Sequence, residues 1–336
     1  MHDLYGREKM KEYHIAGAGM ALLENGRVSR KAGFGVLERG QEETVTADTV
    51  FSACSISKFA AAMLAIRLVS EEILALDEEV NRRLKSWEIP MNGFEQPVTL
   101  RLLLSHQSGI KDPEGSFMEL DDSQPSPSIR EILNGITRYC PQPVQIQYEP
   151  GTEFHYSDAG FCVLEQLMED VTGIAYEDLV RSKVLNPLGM DRSTFHAPDA
   201  NAAAGHDRKS RVLADKYPVY PYPAAAGLWS SASDLGKLAA ELIDALNGKS
   251  TLGISQELAE EMIRAQGCSP WTGLGVFVNG QEISSFGWGK GFQCMAAVYP
   301  RLGTGAIVMT NTDTGVHQRE GWIGEMLECL LKRESQ

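Results

Sequence analysis

Ser55-Ile56-Ser57-Lys58, followed by the apolar run Phe59-Ala60-Ala61-Ala62-Met63-Leu64-Ala65-Ile66, is the stretch whose reading decides the rest of the chain. Three residues make nearly one helical turn, so on a helix Ser55 and Lys58 share a face with Cβ atoms about 5–6 Å apart. An amine at that distance reaches the hydroxyl. A serine hydroxyl is a weak nucleophile at neutral pH and needs a base beside it, and a lysine pressed among apolar groups can lose its proton and serve. A helix N-terminus adds backbone N–H groups that favour a developing oxyanion. Ser52 and Ser55 are expected caps, and Ala-Ala-Met-Leu is strong helix material. The competing reading is an N-cap followed by a solvated lysine, and the tetrapeptide alone fits both equally.

The chain holds a second tetrapeptide of this kind, Ser108-Gly109-Ile110-Lys111. Gly109 and Pro113 break a helix there, so Lys111 need not lie beneath Ser108 and a turn is expected.

With 336 residues and 43% apolar content, the chain can bury a large core in one big domain or two interleaved ones. Thirty-one Lys+Arg against 45 Asp+Glu leave a formal charge of −14, a field that repels phosphate backbones, so nucleic acid is not an expected partner. The opening Met1-His2-Asp3-Leu4-Tyr5-Gly6-Arg7-Glu8-Lys9 lacks the order of a signal peptide, and no apolar run is long enough to span a bilayer. The expected location is the cytoplasm, without a membrane partner. Six cysteines (Cys54, Cys140, Cys162, Cys268, Cys294, Cys329) are scattered without a C-x-x-C pair, which fits buried thiols better than disulfides or a zinc site. The seven histidines show no H-E-x-x-H spacing, so neither metal nor cofactor is expected. The sequence carries no signal for oligomeric state.

Apolar-rich runs from His14 to Leu23 and Arg27 to Val36 meet at Glu24-Asn25-Gly26, which predicts a tight antiparallel hairpin. Leu74 to Val80 closes the Ser55 helix, and Thr99 caps another that stops at Gly109. Residues 110–130 carry three Pro and few large apolar groups, the composition of a long surface loop that rims a site. Three-to-four spacing predicts helices over Ile129–Tyr139 and Gly160–Val171. Residues 196–226 form a second irregular segment, with Pro198, Pro218, Pro221 and Pro223 interleaved with Tyr217, Tyr220 and Tyr222. Ser233 is the expected cap of a helix to Leu246. Short strands follow at Gly275–Val278, Ile283–Phe286, Gln293–Tyr299 and Ala306–Thr310, then a helix whose stripe Trp322, Ile323, Met326, Leu327, Leu330 and Leu331 must lie on the sheet. The expected fold is α+β: an antiparallel sheet domain from residues 1–75 and 225–336, flanked by terminal helices, with a mainly helical domain inserted at 76–224 that carries the site loops.

Several phrases together resemble the penicillin-recognising serine hydrolases, comprising class C-type β-lactamases, D-alanyl-D-alanine peptidases of that branch and related esterases. They are Ser55-x-x-Lys58, Leu103-Leu104-Ser105-His106-Gln107-Ser108-Gly109-Ile110, Tyr148-Glu149-Pro150-Gly151, Asn186-Pro187-Leu188-Gly189-Met190 and Ala226-Gly227-Leu228-Trp229-Ser230-Ser231-Ala232-Ser233-Asp234-Leu235. The resemblance implies a serine β-lactamase-like fold, Ser55 as acylated nucleophile, Lys58 as its partner and Tyr156 as the Tyr of a Tyr-x-Asn motif. It places Trp288-Gly289-Lys290 on the strand of the third motif and the second oxyanion N–H, beside that of Ser55, at Gly291.

Two positions depart from that pattern. Asp158 replaces the Asn, so a donor becomes an acceptor that also favours a charged Lys58. Trp288 stands where Lys or His is usual, offering one N–H and no charge. Lys290 would restore a cation only if the strand continued past Gly289. The expected function is an acyl-enzyme serine hydrolase acting on esters or small amides and peptides, with a true β-lactamase or D-aminopeptidase as one alternative. A catalytically silent penicillin-binding-type protein is another, favoured by Asp158 and Trp288. The absence of a G-x-S-x-G elbow speaks against an α/β-hydrolase triad.

Overall fold

The computed structural model describes residues 8–119, 125–196 and 201–331; parts of both expected long loops, Pro198 among them, lie outside the described residues. Asn25 and Gly26, at φ 52° and 72°, reverse the chain between β1 (Gly17–Glu24) and β2 (Arg27–Gly35). Both lie in the left-handed region that a two-residue hairpin loop requires. The predicted hairpin is present, its β1 buried and its β2 mostly facing water. A two-stranded ribbon of β3 (Phe51–Ser52) and β4 (Trp229–Ser230) follows. The remaining strands are β5 (Phe277–Asn279), β6 (Glu282–Gly289), β7 (Phe292–Tyr299) and β8 (Thr304–Thr310). They join the hairpin in one six-stranded antiparallel sheet of order β2-β1-β8-β7-β6-β5. Ala18 pairs with Thr310 and Gln293 with the same Thr310, so the two ends of the chain close the middle of the sheet.

Helices are α1 (Ser57–Ser70), α2 (Leu100–Leu104), α3 (Ile129–Leu133), α4 (Asp158–Thr172), α5 (Tyr176–Val180), α6 (Ala232–Leu246), α7 (Gln256–Met262) and α8 (Trp322–Leu331). The run from Phe59 to Ile66 is apolar all round and buried all round, as a helix lodged inside a core must be. On the opposite face of the sheet the predicted stripe of α8, through Trp322, Ile323, Met326 and Leu327, packs on Met20, Leu22, Met295 and Val308. The α+β architecture therefore stands as expected, an antiparallel sheet between helices. No helix among the described residues is long and apolar enough to cross a membrane.

Three local expectations are corrected. The helix predicted over Ile129–Tyr139 ends at Leu133: Ser128 and Glu131 form a capping box at its start, and Gly135, at φ 68°, breaks the chain soon after its end. The cap of α6 is Ser231, whose hydroxyl accepts from Asp234 N at 3.1 Å, and Ser233 lies inside the first turn. Thr99 does cap α2, but that helix closes at Leu104, well before Gly109.

Candidate active site

Cys54 takes φ 46°, a left-handed conformation that costs a non-glycine residue roughly 1–3 kcal/mol. An irregular turn, Cys54–Ile56, then runs straight into α1. Neither Ser52 nor Ser55 caps this helix, contrary to expectation. Ser57 ties the segment down instead: its hydroxyl donates to Cys54 O at 2.6 Å and accepts from Leu228 N at 2.9 Å. The Ser55 hydroxyl is left free to face Lys58 Nζ, 3.3 Å away. Cys54 offers no competing nucleophile, because burial pushes its thiol up to about 12.

Lys58 is enclosed and spends its three donors on Ser55 Oγ, Asp158 Oδ1 at 2.5 Å and Ala225 O at 2.8 Å. Burial pushes its pKa down, but the Asp158 carboxylate and Tyr156 outweigh burial and hold it above the usual lysine range. Lys58 rests as the ammonium, the effect expected of Asp158. Tyr156 presents a ring edge to solvent, 39% exposed, while its hydroxyl is enclosed between Lys58 and Ser55. The lysine nitrogen lies 4.7 Å from the ring centroid. Burial raises the phenol pKa further than Lys58 and Ser55 lower it, so Tyr156 rests protonated.

Two residues that sequence reasoning missed fix this geometry. His106 stacks on Tyr156 at 4.5 Å between centroids and accepts Ser157 N–H on Nδ1 at 3.1 Å. Burial, aided by Lys58, drives its pKa down to about 3, so it stays neutral. Asp112 accepts from Ser157 Oγ at 2.8 Å, Asp158 N at 3.0 Å and Ala159 N at 2.9 Å, bolting the first turn of α4 to the loop after α2. Asp112 lies in the loop already read as a rim, and His106 in the helix expected to stop at Gly109, within a phrase that served only the family resemblance. Ser108 sits in the expected turn, with Gly109 at φ 83°.

The register of β6 decides what the third motif contributes. Gly287 and Gly289 face the nucleophile segment: a Cβ would fall 2.3 Å from Ala53 O at Gly287, and 2.4 Å from Tyr220 Oη and 2.9 Å from Cys54 Sγ at Gly289. Only glycine permits that approach. Phe286 and Trp288 alternate to the other face. Trp288 still borders the cleft, but its Nε1 donates to Asp313 Oδ1 at 2.9 Å. The strand ends at Gly289, so Lys290 turns away and pairs with Glu119 at 2.6 Å and Asp215 at 3.3 Å. Gly291 lies in the turn against Gly205 and Leu213, its carbonyl accepting from His206 N at 3.4 Å. The stretch of β6 that abuts the nucleophile segment is therefore Gly287–Gly289.

A cleft of about 430 Å³ opens beside Ser55 and Tyr156, walled by Phe277, Phe286, Trp288 and His317. A larger cavity of about 620 Å³ lies between the sheet and α8, among Met295, Ala297 and Leu327. That cavity is remote from Ser55, and the smaller cleft is the one that serves the chemistry.

A serine aligned with a buried ammonium, faced by a tyrosine and by a glycine-bearing strand edge, makes up the site. The chain belongs to the Beta-lactamase family, whose sequence model matches residues 5–328. It is 27% identical over 232 residues to Protein flp of Staphylococcus aureus (strain COL), a match covering 69% of this chain and 43% of that protein. The chain thus spans less than half the length of that relative. Its fold is that of the octameric penicillin-binding protein homologue from Pyrococcus abyssi, with TM-score 0.79, 24% identity and coverage of 100% and 77% of the two chains. It is equally that of the D-amino acid amidase from Ochrobactrum anthropi SV3, with TM-score 0.79, 19% identity and coverage of 100% and 99%.

Proposed function

We propose that this chain hydrolyses esters, with small amides or peptides as slower substrates, through an acyl-enzyme on Ser55. The observation that carries the reading is the 3.3 Å approach of Lys58 Nζ to Ser55 Oγ beside an enclosed Tyr156 hydroxyl. Because Tyr156 rests as a phenol, it works as a relay. In one concerted step its oxygen accepts the Ser55 proton as Oγ bonds to the carbonyl carbon while its own proton passes to the leaving-group oxygen, whose C–O bond then breaks to release the alcohol. Water then attacks the acyl carbon and the same path runs in reverse, returning a proton to Ser55. Lys58 stays charged and steadies negative charge that develops on the two oxygens. The second oxyanion donor, with Ser55 N–H, is assigned to the Gly287–Gly289 edge in place of Gly291.

Ester preference follows from groups that are already engaged. Asp158 is held by Lys58, Trp288 Nε1 by Asp313, and Lys290 by Glu119 and Asp215. Donors and cations that would hold an amide and a flanking carboxylate are therefore spent, and an ester, with its better leaving group, depends on them least. The D-amino acid amidase with the same fold keeps amides within the proposal.

A fluorophosphonate is expected to add to Ser55, and kcat/KM for p-nitrophenyl acetate to exceed that for a chromogenic cephalosporin. Tyr156→Phe should lower acylation by about 10²–10⁴-fold with little loss of binding. An adduct at another residue, or unchanged turnover in Tyr156→Phe, removes that residue from the mechanism. A folded protein that takes no adduct would be a silent binding protein.

A further inference from the structure

We propose that the cleft beside Ser55 binds an uncharged aromatic group of the substrate, seated against Phe277, Phe286 and Trp288. None of the residues lining this cavity is Lys, Arg, Asp or Glu. The charged groups around it are already engaged: Arg319, whose guanidinium lies 5.2 Å from the Phe286 ring, with Glu282 and Ser284, Asp313 with Trp288 and Gly315 N, Lys58 with Asp158. A charged substituent would enter without a counter-ion and lose its hydration.

Phe277, Phe286 and His317 of the wall belong to a run of rings that touch in series and that continues beyond the cleft lining through Trp271 and Phe154. Phe154 meets Trp271 at 4.2 Å, Trp271 meets Phe277 at 6.1 Å, Phe277 meets Phe286 at 5.7 Å and Phe286 meets His317 at 5.3 Å. These spacings are those of edge-to-face and offset pairs, so one more ring in the cleft finds faces and edges already presented to it. Trp271 and Trp288 nevertheless remain 45% and 41% exposed. Large apolar groups left facing water around a concave site mark a surface awaiting a ligand. The hydrogen bond from Trp288 to Asp313 fixes the indole plane, so little freedom is lost when a ring stacks on it. A rigid ring, more than a flexible alkyl chain, matches a wall that is itself rigid.

The turnover side of this inference rests on the acyl-enzyme reading, whereas the binding side does not. Two measurements separate them. In the first, kcat/KM is compared for methyl acetate, methyl phenylacetate and benzyl acetate on wild type, Trp288→Ala and Phe277→Leu, each variant checked for an unchanged circular dichroism spectrum. At least one aryl ester should exceed methyl acetate by tenfold or more, carried by KM, and both variants should shrink that ratio. In the second, binding of phenylacetamide, acetamide and 4-carboxyphenylacetamide to Ser55→Ala is followed by tryptophan fluorescence and calorimetry. Phenylacetamide should bind at least tenfold tighter than the other two. If no ester is turned over but this order holds and is lost in the Phe277→Leu background, the cleft stands and the hydrolase reading falls. An active enzyme with an aryl-to-methyl ratio near one overturns the proposal. So does equal binding of the three amides.

Discussion

Lys58 is the residue on which the chemistry turns, because three acceptors converge on one nitrogen and one of them is a carboxylate at 2.5 Å. With Lys58 held above its usual range and Tyr156 raised by burial, neither group titrates between pH 7 and 10. A relay through the neutral phenol therefore gives a flat profile of kcat/KM for an ester across that window, after subtraction of hydroxide-driven hydrolysis. A slope of +1 would instead require a phenolate base. Asp158→Asn removes the carboxylate that opposes burial, so Lys58 moves down and a titration should enter the same window; an unchanged profile in that variant would deny Asp158 its hold on Lys58. Ser55 and Lys58 could be proposed from their spacing within one turn, whereas Tyr156 and Asp158 came into view only through the family resemblance. His106 and Asp112 were not legible, since each acts on a segment 45 or more residues away, and a loop read in isolation shows no partner.

Among the elements, α4 holds both ends of the lysine's environment. Its first turn supplies Asp158, and in its buried second turn Glu165 accepts Ala224 N at 2.9 Å, one residue before the carbonyl that receives Lys58. Burial lifts the Glu165 carboxyl well above its ordinary 4.5, so the folded protein keeps a proton that the unfolded chain releases above that pH. Stability then falls as pH rises past 4.5, and it does so until the folded value is reached. Glu165→Gln keeps an acceptor without that proton, so its stability relative to wild type should improve as pH rises above 5 in urea titrations and level off only at the folded value. A constant difference would mean that Glu165 is ionised where it lies. Element types were readable where period and caps agreed, as in the β1–β2 hairpin, α4 and α8. They failed at α3, where apolar spacing ran on through Ile136 and Tyr139 although Gly135 had already broken the chain. The facing of β6 needed the register, which alternation alone does not supply.

The whole molecule is organised on two sides of one sheet. One apolar cluster joins Leu23 and Met309 of the sheet to α1, to Phe161 of α4 and to Leu179 of α5, so residues 76–224 share a core with the sheet segments. We propose the division at 75 and 225 as one of chain topology rather than of separate cores. The smaller cluster beneath α8 stands alone on the other face. Trp322 is 1% exposed there, so Trp322→Ala should cost about 3–5 kcal/mol in denaturant titrations. Among the described residues its Nε1 is buried without a partner, so Trp322→Phe removes an unsatisfied donor along with volume and should cost clearly less. Equal losses in the two variants would show that the site depends on the indole N–H itself, so that the donor is not unsatisfied.

The pairing of Ala18 with Thr310 also governs how the chain comes to be folded at all. The β1–β2 hairpin can form as soon as its residues leave the ribosome, but the inner edge of β1 waits for β8, which lies far downstream in the chain. Until β8 emerges, β1 therefore offers bare backbone donors and acceptors to any passing neighbour. Contacts of such long sequence separation fold slowly. Protection of the nascent hairpin, as well as stability of the finished sheet, is then expected to bear on the yield of folded protein.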